Sequence, residues 1–502
     1  MRRYFEIKVW AELLVVFVLA MLLGISPRPH QLTLVLVRAH RTIEFSAAHE
    51  SAALLAQAAE MVPWRGDLWE LAGKYALKDG EVQLAIGYLK KANTLRSLSL
   101  DGFLALAGAY HQAGEFETAI QVWQSAIQHG FSQDQIYPQM LHDQLQRQDY
   151  SGAISTLYHL TRLSPASADW HYQLGLLLAT RNPELAVAHL LQAAELDQKM
   201  SAPVRNLADS IQSALWVNDP AYRLLSAGRG LASLDEWDLA AEAFRQATLA
   251  RPDYAEGWAF LGEALQHHKP GLNTGLNNPS QTPCCCEQKP AQQGNNTKDE
   301  CLAALDKAIA LDPASLSANT FMALYWQRKN NYEQALPYLK NAANLDPHNP
   351  AVLAELGNTL ALLGDLAAGL KYYQQAADLA TNHPTYLKQL VLFSIRYRYQ
   401  LEEIGLPAAR NAAEKFPKDP ECQDLIGQIL FLLEDFQEAE DHLLQAIRID
   451  TNYAPAYLHL GQLYLKRGNK LIAEVYLSKA VLISPSALTA DQARQLLETN
   501  IP

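Results

Sequence analysis

The feature that most constrains the fold is a small residue that recurs in phase along most of the chain. Between residues 66 and 485, alanine returns at the same point of successive helical segments, and most spacings equal 34 residues. A generic helical protein would not keep this phase, because its helices differ in length and packing. Eleven positions share the register, and ten of them are alanine: Ala92, Ala126, Leu160, Ala193, Ala247, Ala308, Ala342, Ala376, Ala412, Ala446 and Ala480.

The stretch Ala454–Ala487 shows what one period encodes. Apolar residues at helical spacing precede Gly468 and resume after it, and Pro485 ends the run. This pattern predicts two amphipathic helices joined by a tight turn. Gly461 on the first helix lets the two backbones approach closely, and Leu477 fills the space around that contact. One hairpin cannot bury its apolar face alone, so the pattern predicts stacked neighbours.

These residues resemble the signature of the tetratricopeptide repeat, in which Trp-x2-Leu-Gly-x2-Tyr is followed by spaced Ala, Phe, Ala and Pro. Tyr457 stands in the Trp position here, and Leu477 stands in the Phe position. The resemblance covers roughly residues 66–485. It implies an all-α fold, an α-solenoid of helix-turn-helix hairpins wound into a right-handed superhelix. In this family the first helices line a concave groove that binds peptides or partner proteins.

The register divides the repeat region into two blocks. Residues 47–216 are predicted to begin with the second helix of a repeat whose first helix is missing. They are predicted to end in an unpaired helix at 203–216, which marks a seam. Residues 217–486 form the second block, and its insertion at 267–298 is predicted to be disordered because it is rich in Asn, Gln, Pro and Gly. Residues 487–502 are predicted as a capping helix and tail.

Residues 1–26 are predicted to form a membrane anchor. The apolar run Leu13–Ile25 follows three basic residues, and with its flank it reaches the lower length limit for a spanning helix. Pro27 disfavours cleavage, so an anchor is favoured over a signal peptide. Residues 27–46 are then a stalk, in which Leu32–Val37 is a short strand or a membrane-hugging segment. The predicted localisation is a single-pass membrane protein of bacterial type with an extracytoplasmic array, secreted if the segment is cleaved.

Charge and motifs exclude several classes of function. Lys and Arg total 41 and Asp and Glu total 53, for a net charge of −12, and no basic face suggests nucleic acid as a partner. No Walker loop, GxGxxG after a strand, GxSxG or HExxH motif occurs. The repeats also leave no room for a catalytic domain. We therefore predict no enzymatic activity, no catalytic residue and no cofactor.

The five cysteines suggest a different class of function. Cys284–Cys286 lie in the insertion, and His267 and His268 lie at its start. Thiolates and imidazoles suit zinc or copper, but the spacing fits no known finger motif. We therefore predict no metal site and keep a metal- or redox-linked protein as an alternative. Cys301 and Cys422 lie on predicted helices and are expected to be buried and inert.

The resemblance predicts which side chains point into the groove. They lie at places 2, 5, 9, 12 and 13 of each repeat, counted from its first residue, which is Ala454 in the last repeat. Chaperone-binding members pair Lys and Asn at places 5 and 9 to clamp a carboxylate. Here Asn358 has Ala354 at the accompanying position, so no clamp is predicted. The groove is mixed in charge, and the candidate partner-binding residues are Lys74, Lys78, His111, Arg229, Glu263, Gln327, Arg328, Asn358, Gln428 and Gln462.

One segment departs from the register in a way that suggests a surface. Tyr386–Tyr399 is aromatic and basic, and two extra residues occur around Arg396–Gln400. The segment is either a partner-docking patch or, as favoured, a lengthened helix whose Leu and Phe residues belong to the core.

Together these patterns predict a membrane-anchored scaffold that mediates protein–protein interaction or complex assembly at the cell envelope. A non-catalytic accessory subunit of an envelope enzyme is the other alternative.

Overall fold

The structure is a computed structural model, and it describes residues 29–44, 47–95, 98–131, 133–199, 201–267 and 296–500. Every regular element within these ranges is helical, which confirms the all-α fold class. The chain divides into two compact units, one up to Leu239 and one from Ala240. Each unit is a stack of helical hairpins in which consecutive helices pack against each other.

The first unit contains five hairpins and two further helices. Their bounds are α1 (Pro29–Glu44) with α2 (Ala48–Met61), α3 (Gly66–Lys78) with α4 (Val82–Thr94), α5 (Leu100–Gln112) with α6 (Phe116–Gln128), α7 (Gln133–Gln146) with α8 (Tyr150–Leu163), α9 (Ala168–Ala179) with α10 (Pro183–Leu196), then α11 (Ser201–Ala214) and α12 (Pro220–Ser233).

The second unit begins within α13 (Trp237–Ala250) and continues with six hairpins and a terminal helix. Their bounds are α14 (Ala255–His267) with α15 (Asn296–Leu311), α16 (Leu316–Arg328) with α17 (Tyr332–Leu345), α18 (Pro350–Leu362) with α19 (Leu366–Leu379), α20 (Pro384–Tyr397) with a π-helical turn (Leu401–Gly405) and α21 (Leu406–Lys415), α22 (Pro420–Leu432) with α23 (Phe436–Ile449), α24 (Ala454–Lys466) with α25 (Lys470–Ile483), and α26 (Leu488–Asn500).

The turn between the two helices of most repeats has one backbone geometry. The residue at place 15 of the repeat has a positive φ, which ends the first helix and reverses the chain. Glycine favours this conformation because it has no Cβ to clash with the backbone. Nine repeats share the geometry, four with glycine and five without: Gly80, Gly114, Gln148, Asp235, Asn330, Gly364, Arg398, Glu434 and Gly468.

The alanines that define the register lie at the centre of the packing. All ten are 0% exposed, and Leu160 in the eleventh position is 3% exposed. Between the helices of a hairpin, glycine on the first helix faces leucine on the second. A Cβ built on Gly461 would lie 2.5 Å from Cγ of Leu477, far inside van der Waals contact. The close approach predicted for Ala454–Ala487 is therefore confirmed.

The N-terminal part of the first unit corrects two expectations. Residues 29–44 form helix α1, so the strand expected at Leu32–Val37 is wrong. Helix α1 packs against α2, and Val35 and Ala39 are buried. The Oγ atom of Ser51 on α2 donates a hydrogen bond of 2.9 Å to Oγ1 of Thr42 on α1. Helix α2 therefore does have a first-helix partner, and much of the predicted stalk is part of a hairpin.

Helix α11 forms where the sequence suggests an unpaired helix. It packs between α10 and α12 in the order of the chain. Leu207 on α11 fills the space beside Gly230 on α12, where a Cβ would lie 2.4 Å from a methyl group of Leu207. The boundary between the two units lies further along the chain than the predicted seam at 203–216.

The predicted localisation as a single-pass membrane protein is wrong on the part of the chain that the structure describes. None of its helices combines the length and the hydrophobicity that a bilayer crossing requires. The predicted anchor, residues 1–26, lies outside the described residues. So does most of the predicted disordered insertion, since α14 ends at His267 and α15 begins at Asn296. Helix α26 buries Ala490 and Ala493 beside the last hairpin, as a capping helix should.

Candidate functional site

In the first unit, the predicted groove residues pair with residues of the next first helix. Nζ of Lys74 on α3 lies 3.4 Å from a carboxylate oxygen of Asp101 on α5. Nδ1 of His111 on α5 lies 2.5 Å from Oδ1 of Asp143 on α7. Asp143 is buried, and Nε1 of Trp123 donates to its other oxygen at 2.7 Å. A buried carboxylate needs such donors, so His111 and Trp123 stabilise the stack of helices.

Two more candidates of the first unit lie on its surface. Lys78 is the exposed last residue of α3, and Arg229 is exposed on α12. Lys78 lies one helical turn after Lys74 on α3, whereas Arg229 lies on α12, so the candidates of the first unit are spread over several helices.

In the second unit, Glu263 and Arg328 form a fork. The guanidinium of Arg328 on α16 donates to both carboxylate oxygens of Glu263 on α14, at 2.7 and 3.0 Å. The same guanidinium donates to Oε1 of Gln266 at 2.7 Å, and Nε2 of His267 lies 2.9 Å from Glu263. Bidentate pairs of this kind fix geometry strongly. They hold the end of α14 at the point where the insertion leaves it.

Gln327, also on α16, links this helix to α18, the first helix of the next repeat. Its amide nitrogen donates to Oγ1 of Thr359 at 2.8 Å and to Oε2 of Glu355 at 3.1 Å, both on α18. Asn358 is half-buried on the same helix. The first helices are therefore cross-linked by polar pairs along much of their length, and these side chains contribute to packing.

Gln428 and Gln462, the last two candidates, are brought together around one cavity. The cavity has a volume of about 190 Å³ and lies among α20, α22, α23 and α24. Its lining residues are Ile395, Gly427, Gln428, Phe431, Leu432, Leu443, His459 and Gln462. In the described part of the chain, the side-chain amide of Gln462 has no hydrogen-bond partner, so it is available to a ligand.

A buried carboxylate lies behind this cavity. Asp424 on α22 is 1% exposed and accepts hydrogen bonds from Nδ1 of His459 at 2.7 Å and from the amide of Gln428 at 2.9 Å. Because a carboxylate can only accept, Nδ1 of His459 carries the proton of this bond. Burial, followed by the charge of Asp424, raises the pKa of Tyr453, so its hydroxyl stays protonated nearby. The network fixes the orientations of His459 and Gln428 before any ligand binds.

Sequence reasoning predicted only part of this site. It selected Gln428 and Gln462 as candidates and missed Ile395 and His459. The register could have found Ile395, because Ile395 and Phe431 both occupy place 12 of their repeats. His459 occupies place 6, which is not a groove position in the family pattern.

The aromatic segment Tyr386–Tyr399 belongs mainly to the core, which confirms one part of the favoured interpretation. Phe393 is 4% exposed, and its ring centroid lies 5.2 Å from that of Tyr397 and 6.4 Å from that of Tyr399. The helix is not lengthened, however. It ends at Tyr397, and the extra residues are accommodated between Arg398 and the π-helical turn.

The two cysteines that the structure describes lie in the core. Cys301 and Cys422 are buried, which confirms the expected burial, and burial raises the pKa of each thiol to about 11. No cluster of three potential metal ligands occurs among the side chains that the structure describes. Cys284–Cys286 lie outside the described residues, and His267 is engaged by Glu263.

Comparisons with known proteins identify the repeats. Family models described as tetratricopeptide repeat match residues 327–391, 420–453 and 454–486. Residues 327–391 and 420–486 are therefore tetratricopeptide repeats, in agreement with the resemblance read from Ala454–Ala487. These matches include α22 and α24, which contribute most of the cavity.

Two curated proteins are similar to part of the chain. The anaphase-promoting complex subunit CDC16 of Saccharomyces cerevisiae is 23% identical over 164 residues, which are 32% of this chain and 20% of that protein. The human cilia- and flagella-associated protein 70 is 26% identical over 152 residues, which are 29% of this chain and 13% of that protein. The matched region thus spans a fifth or less of each relative.

Among solved structures, yeast Tom70 is 15% identical over 94% of this chain and 96% of its own, with a TM-score of 0.38. YrrB, described as a tetratricopeptide repeat protein with an unusual peptide-binding site, is 21% identical over 38% of this chain and 98% of its own, with a TM-score of 0.29.

Proposed function

We propose that this chain is a protein-interaction scaffold that binds a peptide segment of a partner through the groove of its second unit. The observation that carries the proposal is the cavity among α20, α22 and α24. It places apolar side chains beside the amide of Gln462 on the first helices of consecutive repeats. Tetratricopeptide repeats are binding modules, and their first helices line the binding groove.

The distribution of hydrogen bonds supports this choice of site. Five of the ten candidate groove residues already pair with a neighbouring helix, as Arg328 does with Glu263 and Gln327 with Thr359. A partner would have to break those bonds and leave buried groups unpaired, at a cost of about 1–3 kcal/mol for each group. At the cavity, the network around Asp424 leaves the amide of Gln462 unused.

Site-specific photocrosslinking tests the proposal. A photoreactive amino acid is introduced at Gln462, which lines the cavity, and in a second variant at Lys479, which is exposed on α25. Both variants are expressed in cells at the level of the unmodified chain and irradiated, and the adducts are mapped by mass spectrometry. We expect adducts to one defined segment of a partner at Gln462 and none to that segment at Lys479.

Two controls make the result interpretable. Each variant must match the unmodified chain in far-ultraviolet circular dichroism, so that a failure of crosslinking is not a failure to fold. Addition of a Gln428→Ala substitution to the Gln462 variant should reduce the yield, because it removes a side chain that lines the same cavity. Equal adducts at Gln462 and Lys479 would show that the groove has no preferred role and would contradict the proposal.

A further inference from the structure

The lining of the cavity specifies an uncharged occupant. Ile395, Phe431, Leu432 and Leu443 supply apolar surface, and the polar lining groups are two amides and the imidazole of His459. Among the described residues, no carboxylate, ammonium or guanidinium lines it. Burial of a charged side chain there would leave the charge without a counter-ion, which is strongly unfavourable. The volume of about 190 Å³ is also below the roughly 300–1,000 Å³ of typical small-molecule pockets, and it suits a single side chain.

The residues at the rim of the cavity are charged, in contrast to its uncharged lining. Leu432 lies at place 13 of its repeat, and the same place is Arg396 in the preceding repeat and Lys466 in the following one. Both basic residues are exposed. Within the described residues, neither forms an ion pair. Lys466 also lies one helical turn after Gln462, on the same face of α24. Two uncompensated positive charges therefore flank the apolar cavity.

The three acidic side chains of α22 and its N-cap are already engaged by other groups. Nζ of Lys388 lies 2.6 Å from a carboxylate oxygen of Asp419 and 2.5 Å from one of Glu421. Asp424 is buried and satisfied by His459 and Gln428, as described above. The chain as a whole carries a net charge of −12, so a positive rim at this site is a local departure from an acidic background.

We propose that the cavity binds one large apolar side chain, such as Leu, Met or Phe, of an internal peptide segment whose neighbouring residues are acidic. The inference rests on the proposed function and names the ligand class of that site. The apolar side chain enters the cavity, the amide of Gln462 bonds to the peptide backbone, and acidic side chains reach Arg396 and Lys466. Charge complementarity selects this occupant over a basic segment.

Fluorescence anisotropy with the full chain and synthetic peptides tests the inference. The probe is a labelled heptapeptide, Ser-Glu-Glu-Leu-Glu-Glu-Ser, with an acetylated N-terminus and an amidated C-terminus. Variant peptides replace Leu by Ala or by Lys, or all Glu by Lys. We expect the Leu→Ala and Glu→Lys peptides each to bind at least about tenfold more weakly, and the Leu→Lys peptide not to bind.

Protein variants separate the two parts of the site. The double variant Arg396→Gln/Lys466→Gln should weaken the acidic peptide about five- to tenfold and flatten its dependence on salt. Arg410→Gln/Lys415→Gln makes the same change of charge on α21 and should leave affinity unchanged. Gln462→Phe fills the cavity and should abolish binding. Circular dichroism and hydrogen exchange of α22 and α24 must show that each variant folds.

The outcomes distinguish this inference from the proposed function. Equal affinity for the Glu and Lys peptides, binding that survives Gln462→Phe, or binding only to a peptide with a free C-terminal carboxylate overturns the ligand class. If no amidated peptide binds below about 1 mM while photocrosslinks still map to Gln462, the inference fails and the proposed function stands. If those crosslinks are also absent, both fail.

Discussion

Substitution of Gly427, which contacts Leu443, is the sharpest test of how the two helices of a hairpin are held together. A Cβ built on Gly427 would lie 2.6 Å from Cγ and 2.8 Å from Cδ2 of Leu443, and 3.1 Å from the carbonyl oxygen of Ala439. Carbon atoms pack best at about 3.5–4.0 Å, so one added methyl group forces α22 and α23 apart. Leu443 is 0% exposed, and it packs directly against Gly427 at the wall of the cavity.

We expect Gly427→Ala to destabilise this hairpin by about 1–2 kcal/mol. Overpacking of a filled core costs about 1–3 kcal/mol, and the better helix propensity of alanine offsets up to about 1 kcal/mol of it. Leu443→Ala alone should cost about 2–5 kcal/mol through the cavity that it leaves. In the double variant the new methyl group fits the vacated space, so the sum of the single effects should exceed the double effect by about 1–2 kcal/mol.

Hydrogen exchange measured by mass spectrometry suits this cycle, because repeat arrays open locally and exchange reports the free energy of each opening. Amides of α22 and α23 should lose protection in Gly427→Ala, and those of α3 and α4 should not change. Gly87→Ala serves as a control, since nothing lies within 4 Å of its Cβ position and helix propensity should raise protection of α4. Strict additivity of Gly427→Ala and Leu443→Ala would refute the reasoning.

Three further predictions concern buried polar groups. Glu70→Gln should lower the hydrogen-exchange protection at the start of α5 by about 1–3 kcal/mol, because Glu70 accepts hydrogen bonds from the N-cap residue of that helix. The control Glu117→Gln, on the exposed surface, should cost less than about 1 kcal/mol. Cys301 and Cys422 should react with iodoacetamide at pH 8 only after urea is added. Burial raises the pKa of each thiol to about 11, and the thiolate is the reactive form. Rapid labelling of the native chain would contradict their burial. Burial lowers the pKa of His189 below its ordinary 6.5, so folding favours the neutral ring. The contribution of His189 to the free energy of unfolding is therefore fully present above pH 6.5 and falls at lower pH. In thermal melts, the melting temperature of His189→Gln should fall less between about pH 7.5 and 5.5 than that of the unmodified chain.

The sequence predicts the hairpins well because one small residue per repeat is enough to fix them. Ala446 and Ala480 must lie where two helices touch, and any larger side chain there would separate them. Those contacts occur within a repeat, so their spacing along the chain is constant. For the same reason, the turns can be located from Gly364 and Gly468 and then extended to Glu434, which adopts the same positive φ without being glycine.

Contacts between repeats are less predictable, because they depend on how far one hairpin is staggered relative to the next. The register places His111 on the groove side, but it does not say that Asp143 on the next first helix lies within hydrogen-bond distance. Helix α1 shows a related limit. Leu32–Val37 alternates in a way that fits a strand or a helix, and only the face of α2 beside it decides for a helix.

The two extra residues after α20 show why a departure from the register can leave the site unchanged. Two residues inserted inside a helix would rotate everything beyond them by about 200° and would carry Ile395 or its equivalent off the groove. Here α20 ends at the usual place, because Arg398 adopts the positive φ found at place 15 of other repeats. The surplus is accommodated by Gln400, also with positive φ, and by the π-helical turn. Helix α21 is thereby displaced along the sequence, yet Ala412 is still fully buried. The insertion therefore preserves both the core contact and the phase of α20, and the cavity forms from positions that follow the repeat.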